Sequence, residues 1–199
     1  MNPRKCARWV GLFLISLSLV CIVANALLLV PDGKTWSSDQ LSLQVLLMPG
    51  FIGGGLMVLC PGITVVLAAG GHPKWVSTKL KRDSILRSFS FSALGMLGAI
   101  YCLFVSAAGL RMGPKCSKNA KWAYHLQESS GAYLSNHEYW NLCEKPPNVV
   151  PWNVTLFSLL MVASCLEILL CSIHLVNPII LPFRKKQRQS HLAVEKSRP

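Results

Sequence analysis

Four long stretches of this chain carry almost no charge. No Asp, Glu, Lys or Arg lies between Arg8 and Asp32, between Asp39 and Lys74 or between Arg87 and Arg111, and Glu167 is the one charge between Lys145 and Arg184. Each gap holds the roughly 20 apolar residues that a helix needs to cross a hydrocarbon core about 30 Å thick. A soluble fold of 199 residues would have to enclose four such helices in one core, and so short a chain lacks the material to cover them. Charged types make up 14% of the sequence and apolar types 52%, against about 25% and roughly 45–50% in soluble domains, so what is missing is charge. A soluble enzyme, a disordered chain and a collagen-like repeat are excluded. The expected fold is an all-α integral membrane four-helix bundle with a short first and a larger, disulfide-bonded second extracellular loop. Spans are expected at 9–30, 43–69, 88–110 and 154–179, loops at 31–42, 70–87 and 111–153, an N-terminal segment at 1–8 and a tail at 180–199.

The first run has an alternative reading as a signal peptide, with Arg4, Lys5 and Arg8 as its basic start and Ala24-Asn25-Ala26 as a cleavage site. Its length argues for a retained anchor. An h-region has about 7–15 residues, whereas this one stays apolar through Val30 before the Pro31-Asp32-Gly33 turn. Lys and Arg then set the orientation. The N-terminal segment, the 70–87 loop with Lys74, Lys79, Lys81, Arg82 and Arg87, and the tail are the basic segments, which places them and both termini in the cytosol. The net charge of +12 is therefore mainly a topology signal. It is split among short segments beside spans, which is no footprint for nucleic acid. In the tail, Arg184, Lys185, Lys186 and Arg188 are expected either to hold the tail against anionic lipid, phosphoinositides included, or only to enforce topology.

Cys116 and Cys143 are the two cysteines of the long outer loop, and one bridge between them is its single internal pairing. In the chain-entropy picture such a closure contributes roughly 3–4 kcal/mol. Cys6, among basic residues at the inner edge, is a candidate for S-acylation, with a plain reduced thiol as the alternative. Cys21, Cys60, Cys102, Cys165 and Cys171 lie within spans and read as small packing residues. No Cys-x-x-Cys or Cys/His cluster is present, so no metal or cofactor is expected. Asn153-Val154-Thr155 is a glycosylation sequon, placed close to the start of the fourth span.

The stretches Lys5-Cys6-Ala7-Arg8, Ala24-Asn25-Ala26-Leu27-Leu28-Leu29-Val30-Pro31, Gly53-Gly54-Gly55-Leu56-Met57, Gly113-Pro114-Lys115-Cys116, Val150-Pro151-Trp152-Asn153-Val154-Thr155 and Cys165-Leu166-Glu167-Ile168-Leu169-Leu170-Cys171 resemble the transmembrane-four L-six family, relatives in shape of the tetraspanins. The resemblance runs over nearly all of residues 4–177. It implies a non-enzymatic adaptor for integrins, other adhesion receptors and growth-factor receptors, at the plasma membrane or in endosomal and lysosomal membranes. The chain departs from the family pattern in having no cysteine from Gly70 to Ser88 or from Asn177 to Pro199, where the family carries several thought to be acylated. A second sequon of close relatives reads Asn136-His137-Glu138 here and accepts no glycan.

Inside the spans, Gly50, Gly53, Gly54 and Gly55 with Gly95 and Gly98 allow close helix approach, within one chain as the default and between copies in a homo-oligomer as the alternative. Pro49 and Pro61 are expected to bend the second span. Glu167 and Asn25 are the intramembrane polar groups. A lone carboxylate at that depth costs roughly 3 kcal/mol, so Glu167 should face the bundle in a neutral or hydrogen-bonded form. At about 1.5 Å per residue, Asn25 lies about 9 Å below Pro31 and Glu167 about 21 Å below Asn153, so a direct bond between them requires tilt or offset. The two either fix helix packing or line a cavity for a sterol or lipid hydroxyl.

Three classes of function follow. A receptor scaffold is favoured by the resemblance. A sensor or carrier of a small cationic solute would use Trp122, Tyr124, Glu128 and Trp140 as an aromatic and acidic site, against the plainer reading that the loop folds on its own aromatics. An intramembrane enzyme is disfavoured, because His72, His125, His137, His174 and His191 fall on scattered segments with no paired nucleophile.

Overall fold

The computed structural model describes residues 3–70, 78–118, 121–127 and 131–196, with side chains in the last helix described as far as Val176. Helix α1 spans Pro3–Leu28. The second membrane segment is assembled from α2 (Leu43–Leu46), α3 (Pro49–Phe51), a π-helical stretch (Ile52–Met57) and α4 (Val58–Ala69). Helices α5 (Thr78–Met112) and α6 (Val149–Lys196) complete the bundle. The parts long and apolar enough to cross a membrane are Lys5–Leu28, Leu43–Ala69, Phe89–Met112 and Val149–Val176. Several helices run beyond their apolar stretches, because the backbone ladder continues where side chains turn polar and does not end at the edge of the apolar run.

The sequence specifies the packing through seams of buried residues at alternating spacings of three and four. On α1 the seam is Leu14, Ser18, Cys21, Asn25 and Leu28, all fully buried. On α5 it is Ser92, Gly95, Ala99, Cys102, Ser106 and Gly109, and on α6 Leu160, Ser164, Glu167 and Cys171. Nearly every α5 position is small, which lets backbones approach where lipid offers no hydrophobic drive between helices. The outward positions are large and apolar, with Phe13, Leu97, Phe104 and Leu169 exposed. That pattern suits hydrocarbon on the outside and polar groups on the inside.

Glycines close the bundle within one chain. A Cβ at Gly53 would lie 2.5 Å from the Gly98 carbonyl oxygen, and one at Gly98 would lie 2.7 Å from that of Gly53, so the second and third spans touch backbone to backbone. Pro61, inside α4, cannot donate to the Met57 carbonyl one turn earlier; that oxygen lies beneath Gly95, 3.4 Å from where a Cβ would stand. Pro49 does more than bend its span. The helix stops after Leu46 and restarts at Pro49, with Met48 left-handed at φ 47°.

A folded cap covers one end of the bundle. Gly113, at φ +74°, turns the chain out of α5 with its Cα against Leu126. Strand β1 (Cys116–Lys118) pairs antiparallel with β2 (Lys121–Ala123), and Ser117 also bridges to Lys145. The disulfide Cys116–Cys143 joins the two ends of this loop, with Cα atoms 5.5 Å apart. Beneath it Cys116, Leu126, Tyr133, Val149 and Val150 form a separate apolar core, against which Trp140 packs.

Candidate functional site

The break in the second span explains Asn25. A restarted helix presents first-turn N–H groups with no partner of their own, and hydrocarbon offers none. Pro49 has no N–H to satisfy, and the Gly50 N–H donates to Asn25 Oδ1 at 3.0 Å. On the other side of the break, the Leu47 carbonyl accepts from Tyr101 Oη at 2.9 Å. Asn25 on the first span and Tyr101 on the third thus cap a discontinuity in the second. Gly50 must be glycine here, since a Cβ would lie 2.5 Å from the Cys21 carbonyl and 2.6 Å from Leu160 Cδ2. Sequence reasoning singled out Asn25 and missed Tyr101, whose one signal is a hydroxyl within an apolar run.

Glu167 sits one turn of α1 away from that cap. It is fully buried, and the Cys21 thiol donates to its Oε1 at 3.6 Å. Cys21 and Cys102 both place their sulfurs against Gly54, at 2.9 and 3.3 Å from where a Cβ would stand. The neighbouring hydroxyls are satisfied within their own helices, Ser18 by Ile15 O at 2.8 Å and Ser164 by Leu160 O at 2.7 Å. Asn25 Nδ2 and Glu167 Oε2 have no partner among the described residues. The two expected groups have different partners: Asn25 accepts from the Gly50 N–H and Glu167 from the Cys21 thiol. Nearer the basic end, Ser92 Oγ and His174 Nδ1 form a second interhelical polar contact at 3.0 Å.

In the cap, the expected aromatic set divides. Trp122 packs against Trp36 of the first loop in a tilted arrangement, with centroids 5.8 Å apart and planes at 58°. Tyr124 Oη accepts from the Leu43 N–H at 3.0 Å, at the start of the second span. Lys115 Nζ donates to the Asp39 carbonyl, and Gln44 Nε2 meets Met112 Sδ at 2.8 Å. Trp122 and Tyr124 therefore clamp the two loops together. Trp140 lies elsewhere, with Nε1 donating to Tyr133 O at 2.8 Å. Glu128 is outside the described residues. Tyr133, which the sequence did not single out, donates its hydroxyl to the Leu110 carbonyl at the end of α5, and burial pushes its phenol up to about 12.

Asn153 is buried in the first turns of α6, where Nδ2 donates to the Val149 carbonyl at 3.1 Å. A glycan on that nitrogen would require this buried side chain to turn out of its present position. Cys6 is an exposed free thiol on α1. Arg184, Lys185, Lys186 and Arg188 lie on the continuation of α6, and their side chains are outside the described residues.

An all-α membrane bundle of four helices, capped by a disulfide-closed loop, defines the class of protein. No solved structure matches the chain. Its sequence matches the L6 membrane protein family over residues 1–185, and the chain belongs to that family. It is 61% identical to transmembrane 4 L6 family member 5 of Bos taurus over 195 residues, covering 96% of this chain and 100% of the relative. The human protein of the same description is also 61% identical, over 197 residues, with the same coverage. Transmembrane 4 L6 family member 1 of Mesocricetus auratus is 38% identical over 187 residues, covering 90% of this chain and 92% of the relative.

Proposed function

We propose that the chain is a non-enzymatic membrane scaffold whose large loop faces the exoplasmic side and whose basic segments face the cytosol, gathering adhesion and growth-factor receptors. The observation that carries this reading is the cap. Both loops are fastened to one another through Trp36–Trp122 and Tyr124–Leu43, over a disulfide and their own apolar core. A fixed, folded surface above a bundle of closely packed helices suits contact with other proteins. The disulfide fits an oxidising compartment, and the positive-inside rule gives the same orientation.

Proximity labelling with the tagged full-length chain at the surface of intact cells tests the role. Integrins and growth-factor receptors should be enriched with the native chain, and the enrichment should fall when Cys116 and Cys143 are both replaced by Ser at matched surface abundance. A set of neighbours unchanged by that replacement overturns the cap as the recruiting surface. On the cytosolic side, Arg184, Lys185, Lys186 and Arg188 are assigned to anionic lipid, each worth roughly 1 kcal/mol near the leaflet. Their vesicle binding should weaken with salt, because the attraction is screened over about 10 Å at 0.1 M.

A further inference from the structure

Where the large loop meets the first turn of α6, a cleft of about 340 Å³ opens, lined by Trp140, Cys143, Glu144, Asn148, Val150 and Pro151 among others. Its depth is set by α6. The apolar stretch of that helix begins at Val149, so the cleft lies at the level of lipid headgroups, in the leaflet that meets the large loop. Its walls are held by the protein's own bonds. The Trp140 indole is tied to Tyr133 through Nε1 and packs against the apolar core of the cap. Glu144 is anchored by its backbone N–H, which donates to Ser117 O at 3.0 Å beside the disulfide, while the residue itself is exposed.

We propose that this cleft binds the trimethylammonium end of a choline phospholipid headgroup. An indole and a carboxylate in one concave site attract a cation that has no N–H to donate, by ring quadrupole and by charge. A primary ammonium is a compact, strongly hydrated charge that gives up more solvation on meeting an indole face than a trimethylammonium, whose outer surface is methyl. An anionic headgroup without a cation would set its charge against Glu144. The phosphate that follows the choline is directed toward the start of α6, where Val149 and Val150 stand in a first turn whose N–H groups have no partners within the helix. That helix end adds direction; the site rests on the indole and the carboxylate. The inference is independent of the receptor-scaffold reading and stands or falls separately from it.

The test uses the full-length protein in maltoside detergent, titrated with dioctanoyl phosphatidylcholine, phosphatidylethanolamine or phosphatidylglycerol, or with choline chloride, and read by native mass spectrometry. Phosphatidylcholine should bind about tenfold more tightly than phosphatidylglycerol, and Glu144→Gln should weaken it about fivefold at an unchanged thermal midpoint. Trp140→Leu, which keeps apolar bulk and loses the ring, should weaken it as well. Should that variant fail to fold, Glu144→Gln decides alone, because Glu144 is exposed and keeps its backbone bond. Equal binding of phosphatidylcholine and phosphatidylglycerol, or an unchanged affinity in Glu144→Gln, overturns the site, and phosphatidylethanolamine binding as tightly as phosphatidylcholine overturns the assignment to the trimethylammonium group. Choline chloride saturating it while the phospholipid does not compete overturns the assignment to lipid.

Discussion

The membrane core and the loop cap are both built around buried polar groups, yet they hold them in different frames. In the core the frame is helical: Ser18 and Ser164 bond within their own helices, and single side chains reach from one span to the next, Asn25 and Tyr101 to repair the break in the second span and Cys21 to serve Glu167. In the cap, short strands and turns are tied to one another and to the helix ends: Leu43 to Tyr124, Trp36 to Trp122, Leu110 to Tyr133, Cys116 to Cys143. The core can rely on helices because hydrocarbon forces each backbone to close on itself. The cap is surrounded by water and needs a covalent tie to hold short strands and turns together. The two regions should therefore fail independently.

The largest effect expected is on the cap. Cys116→Ser releases a loop closed across a sequence separation of 27 and should cost it roughly 3–4 kcal/mol. Limited proteolysis should then cut between residues 113 and 148, while the spans stay protected and helical. Collapse of the bundle in the same variant would show that cap and core are one cooperative unit. A similar loss is expected in the core from Glu167→Lys, which puts a charge at a cost of roughly 3 kcal/mol where no counter-charge waits. Glu167→Gln should fold normally, because its Oε1 still accepts from the Cys21 thiol. Detergent-extracted yield and thermal midpoint would distinguish the two, and a Gln variant as damaged as Lys would mean the carboxyl proton itself is needed.

Smaller is the effect of Gly53→Ala. Its methyl would overlap the Gly98 carbonyl at 2.5 Å, and overpacking of this kind costs roughly 1–3 kcal/mol. The midpoint should drop with the disulfide intact, as judged by non-reducing peptide mapping. By contrast Gly70→Ala, whose nearest neighbour would lie at 3.4 Å, should be silent. Equal behaviour of the two would remove the second-to-third span contact as the packing site.

These residues also show how far the sequence could be read. The spans were legible because uncharged length leaves no other fold, and the disulfide because two cysteines fell in one loop. Glu167 and Asn25 were legible as buried polar groups. Their partners were not, since helical rise gives depth but neither rotation nor tilt, and Cys21 read only as a small packing residue. Pro49 marked an irregularity, but its form depended on a left-handed Met48 that composition does not announce. In the cap, Trp122, Tyr124 and Trp140 read as one set because they are near in sequence. Strand pairing and the first loop separate them, and such long-range contacts leave no periodic signal.

Tyr133 gives the gentlest test of the contrast, because it spans both regions while belonging to the cap. Its hydroxyl satisfies a carbonyl in the last turn of α5, an orphan that any helix end must place somewhere. Tyr133→Phe leaves the ring and the apolar core in place and removes one hydrogen bond, which should cost about 1 kcal/mol. The pH dependence reports the burial of the phenol itself. Burial raises the phenol from an ordinary value of 10.0 to about 12 in the folded cap, so the unfolded loop loses the proton first. The stability that depends on the neutral phenol is complete below the unfolded value and drains away as pH rises from about 10 towards 12. Protease resistance of the native cap should fall across that interval more steeply than in Tyr133→Phe, with the spans unaffected in both. Identical profiles for the two proteins would mean that the phenol is not buried in the folded cap, and an unchanged stability in Tyr133→Phe at neutral pH would mean that the hydroxyl does not fasten the cap to the bundle.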